Sequence, residues 1–291
     1  MRVLVVGTGR YGCQMAMVLE VLGIDVDIVG RNDSFSTESS SKNQNRLYFG
    51  GSHYSRSHDT RQECRKGFSK VVQQYPDFSE QIDLYYIVSK RSTLEFDTYC
   101  AIFRHEDSEF EIVSLDHLRQ QGIGFEESFV GGSRVLFVRE RWINFRRIRE
   151  YFSESLEKNM LHFDPDNLHI SDDLISYNNI VYEHAFDATY GKMIPMKDSL
   201  FELCLSLSYR IKTNNDNDGN ISKNSPSVTI VDGEFYSLFP YDRLLNPFFL
   251  AHVKYTPLYP SRFISDVEKF ETELTESFIN DRRLLIEADV S

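Results

Sequence analysis

The sequence predicts an α/β protein in which an N-terminal βαβ unit is followed by a mixed or antiparallel sheet. Two apolar runs flank a helical pattern within the first 30 residues, and a strict two-residue alternation follows near position 205. The composition, 41% hydrophobic and 13% aromatic over 291 residues, is sufficient for a substantial core. A disordered chain is therefore excluded.

The βαβ unit is predicted from three consecutive segments. Residues 2–6 form an apolar run, and residues 25–29 form a second one. Between them, apolar residues recur with the spacing of a helix that buries one stripe: Met15, Val18, Leu19 and Leu22. Gly23 is placed to end this helix.

The remaining elements are predicted from the same two periodicities. Helices are expected at 68–75, 114–121, 143–158 and 267–278, the last beginning with Ser265 and Glu268 at the spacing of a capping box. Strands are expected at 84–89, 101–103, 134–139, 180–190, 203–211, 228–231, 234–239 and 248–255. The Asn- and Asp-rich segment 213–225 is expected to form a hairpin tip.

Charge and composition exclude several classes of function. The 44 acidic and 32 basic side chains give a net charge of −12, which disfavours a general nucleic-acid binder. No apolar run is long enough for a membrane span, and the N-terminal run is interrupted after Val6, so neither a membrane segment nor a signal peptide is predicted. A cytoplasmic protein is expected. The four cysteines are widely separated and are predicted to be free thiols, and no spacing suggests a metal site.

A glycine-rich turn carries the clearest chemical signal. Gly7-Thr8-Gly9-Arg10-Tyr11-Gly12 has the pattern G-x-G-x-x-G directly after a predicted strand and at the start of a predicted helix. In such a turn Gly7 allows a tight bend, Gly9 admits a pyrophosphate to the backbone, and Gly12 allows helix and strand to pack closely. The Rossmann-like context predicts a bound dinucleotide, with Gly7, Gly9, Arg10 and Gly12 as its contacts.

The end of the second strand leaves two interpretations open. An acidic residue that binds the adenosine ribose is usual there, whereas this sequence has Gly30 followed by Arg31. In the first interpretation, groups other than an acid at this position bind the ribose. In the second, Arg31 binds a 2′-phosphate and the cofactor is NADP.

Taken with the glycine turn, the segment 43–57, NQNRLYFGGSHYSRS, resembles the FAD-dependent oxidoreductases of the D-amino-acid-oxidase (glycine oxidase-like) superfamily. The likeness is greatest to a branch found in bacterial surface-polysaccharide gene clusters, with the pattern N-Q-x-R-x-H-x-G-x-H-Y-P-R-S. Here Tyr48 stands for the first His, Ser55 for the Pro, and one extra residue precedes His53. The segments DATYG at 187–191 and DGEFYSLFP at 232–240 are similar to further family motifs.

The resemblance implies an FAD/NAD(P)-binding domain built from discontinuous pieces, with a mixed-sheet substrate domain inserted. We expect the first at 1–75 and about 140–195, and the second, with a C-terminal helix, at about 76–139 and 196–291. The resemblance also places Arg31 near the adenosine, Asn45 and Arg46 on the flavin side, and Ala188 and Thr189 beside the cofactor.

The function that follows is an FAD-dependent oxidoreductase acting on a small polar substrate, such as an amine or hydroxyl of a sugar-derived metabolite. His53, Tyr54 and Arg56 are the catalytic candidates, because an imidazole titrates near neutrality, a phenol donates a hydrogen bond and a guanidinium stabilises an oxyanion. Arg46, Arg56 and Arg210 are candidates for binding an oxyanion of the substrate.

Two alternatives stay open. The first is an NADP-dependent dehydrogenase or reductase that uses Arg31. The second is a non-catalytic nucleotide- or partner-binding protein, suggested by the missing ribose acid and by the lack of any glycine in residues 267–291.

Overall fold

The computed structural model divides the chain into two compact units. Unit 1 comprises Met1–Asn43, Phe145–Phe201 and Pro260–Phe270, and unit 2 comprises Gln44–Asn144, Glu202–Tyr259 and Glu271–Ser291. The structure describes residues 1–31, 35, 39, 41–42, 45–47, 49, 57–106, 108–121, 123, 133–171, 174–194, 196, 198–210, 227–231, 233, 236–241 and 247–290, without the side chains of Arg210, Pro247 and Val290.

Helices and strands are distributed over the whole of the described chain. The α-helices of these residues are α1 (Arg10–Val21), α2 (His58–Gln74), α3 (Phe96–His105), α4 (Leu115–Gln120), α5 (Phe145–Leu156), α6 (Ile264–Glu273) and α7 (Glu276–Val290). The strands are β1 (Arg2–Val6), β2 (Asp25–Gly30), β3 (Arg46–Leu47), β4 (Ser79–Val88), β5 (Glu111–Val113), β6 (Arg134–Ile143), β7 (Met160–His162), β8 (Leu168–Ile170), β9 (Ile175–Tyr177), β10 (Ile180–Tyr182), β11 (His184–Asp187), β12 (Phe201–Cys204), β13 (Leu207–Arg210), β14 (Ser227–Val231), β15 (Tyr236–Pro240), β16 (Pro247–His252) and β17 (Pro257–Ser261).

Unit 1 contains the predicted βαβ unit. Its four-stranded sheet has the order β11-β1-β2-β7, and every neighbouring pair is parallel. Helix α1 buries Cys13, Ala16 and Leu19, and strand β1 is apolar and buried from Val3 to Val6. This continuous apolar run is typical of a parallel strand covered on both faces. A smaller antiparallel sheet, β10-β9-β8, belongs to the same unit.

Unit 2 is built on a larger mixed sheet with the order β13-β16-β15-β14-β4-β6-β3, in which β5 also pairs with β6. Only the pairing of β14 with β4 is parallel among those described in this sheet. On one face, Phe96, Tyr99 and Phe103 of α3 pack with Tyr86 of β4. On the other face, Leu118 of α4 joins a second apolar cluster. The α/β class with a parallel sheet and a mixed sheet is confirmed.

Several boundaries differ from the sequence-based expectations. Residues 101–103 are expected to form a strand but belong to α3, whose buried Phe96, Tyr99, Cys100 and Phe103 recur at helical spacing. The expected strand 180–190 is broken at Glu183, whose N–H donates to the carbonyl of Arg2. The expected strand 203–211 is two strands, β12 and β13, and the segment 213–225 lies outside the described residues.

The expected capping box at the start of the penultimate helix is wrong. Helix α6 begins at Ile264, so Ser265 lies inside the first turn and is not the N-cap residue. Glu268 instead makes ion pairs with Lys192 and Arg31.

The division into units differs in detail from the expected domains. Residues 44–75 and 140–144 belong to unit 2, whereas residues 196–201 and 260–270 belong to unit 1. The assignment of a dinucleotide-binding role to unit 1 and a substrate-binding role to unit 2 stays a prediction. No described helix is long and apolar enough to cross a membrane.

Candidate functional site

The glycine turn after β1 is tightly closed. Gly7 has a φ of +120°, and a Cβ built on it would lie 2.4 Å from the carbonyl oxygen of Ala188. A Cβ on Gly12 would lie 1.8 Å from the carbonyl oxygen of Gly7. Neither position can accept a side chain, so these two glycines are required for the turn itself.

The helix that follows this turn presents its N-terminus without a side-chain cap. Gly9 is the N-cap residue with extended backbone angles (φ −71°, ψ 176°), and within the described residues no side chain caps its first N–H groups. The first turn carries no acidic residue, and burial lowers the pKa of Arg10. N–H groups without a side-chain cap, the positive end of the helix dipole and a nearby guanidinium together suit an anion such as a pyrophosphate.

Ala188 and Thr189 lie directly beside the glycine turn. The N–H of Ala188 donates to the carbonyl of Val6 at 2.7 Å, which extends β11 along β1. The hydroxyl of Thr189 donates to Asp187 at 2.6 Å and accepts from the N–H of Met193 at 3.0 Å. The structure therefore places Ala188 against Gly7 and Gly12, and Thr189 is the next residue along the chain.

The end of β2 has no room for the usual acidic residue. A Cβ on Gly30 would lie 2.3 Å from the hydroxyl oxygen of Thr8. Arg31, the next residue, is 64% exposed, and its guanidinium lies 3.9 Å from Glu268. The same carboxylate oxygen lies 2.8 Å from the amine of Lys192.

Arg46 is buried in unit 2 and paired. Its Nε donates to Glu140 at 2.8 Å, and the two side chains are 1% and 3% exposed. The guanidinium also donates to the hydroxyl of Thr229 at 3.2 Å and to the hydroxyl of Tyr86, which itself donates to Glu140 at 3.1 Å. The rings of Tyr86 and Phe239 lie 5.2 and 5.1 Å from the guanidinium carbon. This geometry favours a positioning role for Arg46 over direct contact with a substrate.

Asn45 supports the same region through its backbone. It has a φ of +50° and is buried, and its carbonyl accepts a hydrogen bond from the N–H of Ile143 at 2.7 Å. Asn is one of the few non-glycine residues that tolerate this left-handed conformation.

A cavity of about 240 Å³ lies within unit 2, between strands β14, β15 and β16. Its polar lining consists of the hydroxyl-bearing Thr229, Ser237, Thr256 and Tyr236 together with His252. The hydroxyl oxygens of Thr229 and Ser237 are 3.0 Å apart, and the Thr229 hydroxyl also accepts from Arg46. Hydrogen bonds therefore connect the cavity wall to the buried Arg46. Burial raises the pKa of Tyr236 and so favours its protonated hydroxyl, which can donate a hydrogen bond.

His252 in the cavity wall has both ring nitrogens engaged. Its side chain is 0% exposed, its Nε2 lies 2.7 Å from a carboxylate oxygen of Asp289, and its Nδ1 accepts from the N–H of Lys254 at 3.2 Å. The acceptor role of Nδ1 places the proton on Nε2, where it is donated to Asp289. His252 is thus held in one tautomer by the C-terminal helix.

The three catalytic candidates His53, Tyr54 and Arg56 lie outside the described residues. Arg210 ends strand β13 opposite Pro247, and its side chain also lies outside the described part of the chain. Their roles stay predictions.

A group with the composition of a metal site occurs elsewhere in unit 2. Ligand atoms of His58, His105 and Glu106 lie within 4.8 Å of one another. The buried Glu106 carboxylate, however, already accepts from Arg61 at 3.0 Å and from Arg65 at 3.2 Å. Two guanidinium groups on the only carboxylate of the group disfavour a metal cation there, so we interpret it as an ion-pair cluster.

Sequence reasoning does not find the partners of the predicted residues. Glu140 lies just beyond the expected strand 134–139, where a charged residue on the apolar face is the available signal. The sequence assigns Glu268 only to a capping box, and it gives Lys192 no role.

Comparison with known proteins agrees with this geometry. A family model for pyridine nucleotide-disulphide oxidoreductases matches residues 2–46, the segment that contains the glycine turn. The chain is 26% identical over 296 residues to the FAD-dependent monooxygenase FPY4 of Fusarium mangiferae, a match that covers 98% of this chain and 73% of that protein.

Solved structures share the fold at low sequence identity. Glycine oxidase from Geobacillus kaustophilus matches with a TM-score of 0.63 and 11% identity over 89% of this chain and 72% of its own. The L-alpha-glycerophosphate oxidase of Mycoplasma pneumoniae, solved with FAD bound, matches with a TM-score of 0.60 and 14% identity over 87% of this chain and 71% of its own. L-proline dehydrogenase from P. horikoshii matches with a TM-score of 0.56 and 12% identity over 96% of this chain and 78% of its own.

The fold and the glycine turn together are those of a Rossmann-type dinucleotide-binding protein. Within that class, the chain shares the fold of glycine oxidase and L-alpha-glycerophosphate oxidase, and this shared fold agrees with the resemblance drawn from the sequence.

Proposed function

We propose that the protein is an FAD-dependent oxidoreductase that acts on a small polar substrate. The observation that carries this proposal is the glycine turn: Gly7 and Gly12 have no room for a Cβ, and the N-terminus of α1 is left without a side-chain cap. A backbone built in this way fits the pyrophosphate of a dinucleotide. The similarity to an FAD-dependent monooxygenase over 98% of this chain supports FAD as that dinucleotide.

The residues of unit 1 would hold the cofactor. The N–H groups at the start of α1 and the half-buried Arg10 would neutralise the pyrophosphate, and Ala188 and Thr189 border the same turn. When bound, the flavin supplies hydride or electron transfer, and the protein contributes binding, orientation and electrostatics.

The cavity of unit 2 supports the class of substrate. Its wall is mostly apolar, with the hydroxyl-bearing Thr229, Ser237 and Thr256 among the lining residues, and its volume of about 240 Å³ is below that of pockets for drug-sized ligands. Hydroxyls donate and accept hydrogen bonds without requiring a charge on the ligand. We propose an amine or hydroxyl of a sugar-derived metabolite as the substrate class, with these few hydroxyls as its hydrogen-bond partners in a small, mostly apolar cavity.

The cofactor proposal is tested by placing a leucine at Gly9. Its extended backbone angles accept any residue, so we expect Gly9→Leu to fold, whereas its side chain would block the approach of the pyrophosphate. Gly67→Leu is the matched control, because nothing lies within 4 Å of a Cβ at that exposed helical position. Quenching of FAD fluorescence on titration should show binding by the wild type and by Gly67→Leu, and none by Gly9→Leu. Equal FAD affinity in all three proteins would contradict the proposal.

The substrate proposal is tested by bleaching of the flavin under anaerobic conditions. We expect amino sugars and sugar alcohols to reduce the bound flavin faster than amino acids of similar size, and Ser237→Ala to raise KM for the best substrate. Faster reduction by amino acids, with no effect of Ser237→Ala, would overturn the assignment of the substrate class but not that of the cofactor.

A further inference from the structure

The carboxyl edge of the unit 1 sheet lacks the usual residue for binding the adenosine ribose. In dinucleotide folds of this kind an acidic residue at the end of β2 binds the ribose diol of the adenosine. Here that position is Gly30, and any side chain there would collide with Thr8, to whose hydroxyl oxygen a Cβ would come within 2.3 Å. The ribose-binding carboxylate therefore cannot come from β2.

A carboxylate reaches the same edge from elsewhere in unit 1. Glu268 of α6 lies 3.9 Å from Arg31, the first residue after β2, and 2.8 Å from Lys192, which follows β11. Strands β2 and β11 are the two neighbours of β1, the strand that leads into Gly7. Glu268 thus contacts residues on both sides of the glycine turn.

The carboxylate of Glu268 can still accept hydrogen bonds from a ligand. Both cations contact the same oxygen, Oε1, and among the described residues Oε2 makes no ion pair or hydrogen bond. The side chain is 40% exposed, so solvent or a ligand can reach it. A carboxylate oxygen can accept hydrogen bonds from the hydroxyls of a vicinal diol.

We propose that Glu268 is the residue that binds the adenosine ribose and sets the preference for an unphosphorylated ribose. This inference rests on the proposed function, because it assigns a residue to the adenosine half of the same dinucleotide. A 2′-phosphate would bring a second negative charge against Glu268, whose ion pair also engages Arg31. The geometry therefore selects FAD-type adenosine over the 2′-phosphorylated adenosine of NADP.

The experiment measures the dissociation constants of FAD, ADP-ribose and 2′-phospho-ADP-ribose by calorimetry. Glu268→Gln keeps the shape of the side chain and removes its charge, and Glu271→Gln is the control on an exposed position of the same helix. We expect Glu268→Gln to weaken ADP-ribose and FAD about tenfold and to strengthen 2′-phospho-ADP-ribose about fivefold, since Arg31 and Lys192 are then unopposed. Glu271→Gln should bind all three as the wild type does, and the melting temperatures should agree.

The outcomes separate this inference from the proposed function. If the wild type binds FAD and Glu268→Gln leaves all three affinities unchanged, Glu268 is not a ribose ligand and the cofactor proposal stands. A wild type that prefers 2′-phospho-ADP-ribose likewise overturns the role of Glu268. If the wild type binds neither FAD nor ADP-ribose, both proposals fail.

Discussion

Removing one partner of the buried pair between Arg46 and Glu140 should destabilise unit 2 strongly. The two side chains are 1% and 3% exposed and 2.8 Å apart, so a single substitution leaves an uncompensated charge in the interior. Such a change typically costs about 3–5 kcal/mol, a large part of a total stability of about 5–15 kcal/mol. We therefore expect Arg46→Met and Glu140→Met each to lower the free energy of unfolding by about 3–5 kcal/mol.

The double variant distinguishes a coupled pair from two independent residues. Replacing both charges by apolar groups removes the unpaired charge, although the hydroxyl of Tyr86 then loses its acceptor, Glu140, at a cost of about 1–3 kcal/mol. We expect the double variant to lose less stability than the sum of the single variants by at least about 2 kcal/mol. Arg139→Met, at an exposed position of the same strand, should stay within about 0.5 kcal/mol of the wild type.

The natural reporter for this experiment is Trp142. It is the only tryptophan, it is 2% exposed, and it lies opposite Arg46 in the pairing of β3 with β6. Urea denaturation followed by its fluorescence therefore reports on unit 2 rather than on the whole chain. Single variants as stable as the wild type, or strictly additive losses of unfolding free energy, would refute the coupling of Arg46 with Glu140. Arg46 would then again be a candidate for binding a ligand.

Three further predictions concern other parts of the chain. Gly12→Ala should abolish the cooperative unfolding of unit 1, because the new Cβ would lie 1.8 Å from the carbonyl oxygen of Gly7. The control Gly67→Ala, whose Cβ has nothing within 4 Å, should instead raise the free energy of unfolding by about 0.5–1 kcal/mol. Thermal melts followed by circular dichroism measure both effects. Burial alone would raise the pKa of Glu106, but hydrogen bonds from Arg61, Arg65 and His58 outweigh it and lower that pKa, so the cluster stabilises the fold above about pH 4.3, the ordinary glutamate pKa, and this contribution is lost as the pH falls through the lower folded value. Glu106→Gln should accordingly flatten the acid limb of the curve of unfolding free energy against pH, and an unchanged limb would contradict the assignment. Burial and a hydrogen bond to Glu287 raise the pKa of Tyr209 to about 12, so its contribution is present below the ordinary tyrosine pKa of about 10 and is lost as the pH rises to 12; the alkaline loss of stability should be smaller in Tyr209→Phe.

Local patterns in the sequence predict those parts of the fold that depend on local contacts. The βαβ unit is recognisable because apolar runs, helical spacing and a glycine turn occur in consecutive segments of residues 2–29. Helix α3 escapes prediction because Ala101 to Phe103 is a short apolar run, and such a run fits a strand or a buried helix equally well. The helical spacing becomes visible only over the whole of residues 96–105, where the four buried residues are Phe96, Tyr99, Cys100 and Phe103.

The candidate site is predictable only in part, because its charged groups depend on contacts between distant segments. Gly7 and Gly12 are identified from the motif, because the positive φ of Gly7 and the close approach of Gly12 to the Gly7 carbonyl both arise within the turn. The partner of Arg46 is 94 residues away, and Glu268 meets Lys192 from a different segment of unit 1, so neither pair leaves a signal in a single sequence. Gly30 illustrates the same limit: the sequence shows that the ribose acid is absent, but only the structure shows that Thr8 excludes it.

The central claim, that the glycine turn of unit 1 binds FAD, is tested most directly by the absorption spectrum of the purified wild-type protein before and after addition of FAD. Any released ligand should be identified by mass spectrometry. The account predicts the visible bands of an oxidised flavin and one FAD per chain after gel filtration. A colourless protein that retains no FAD after incubation would contradict it.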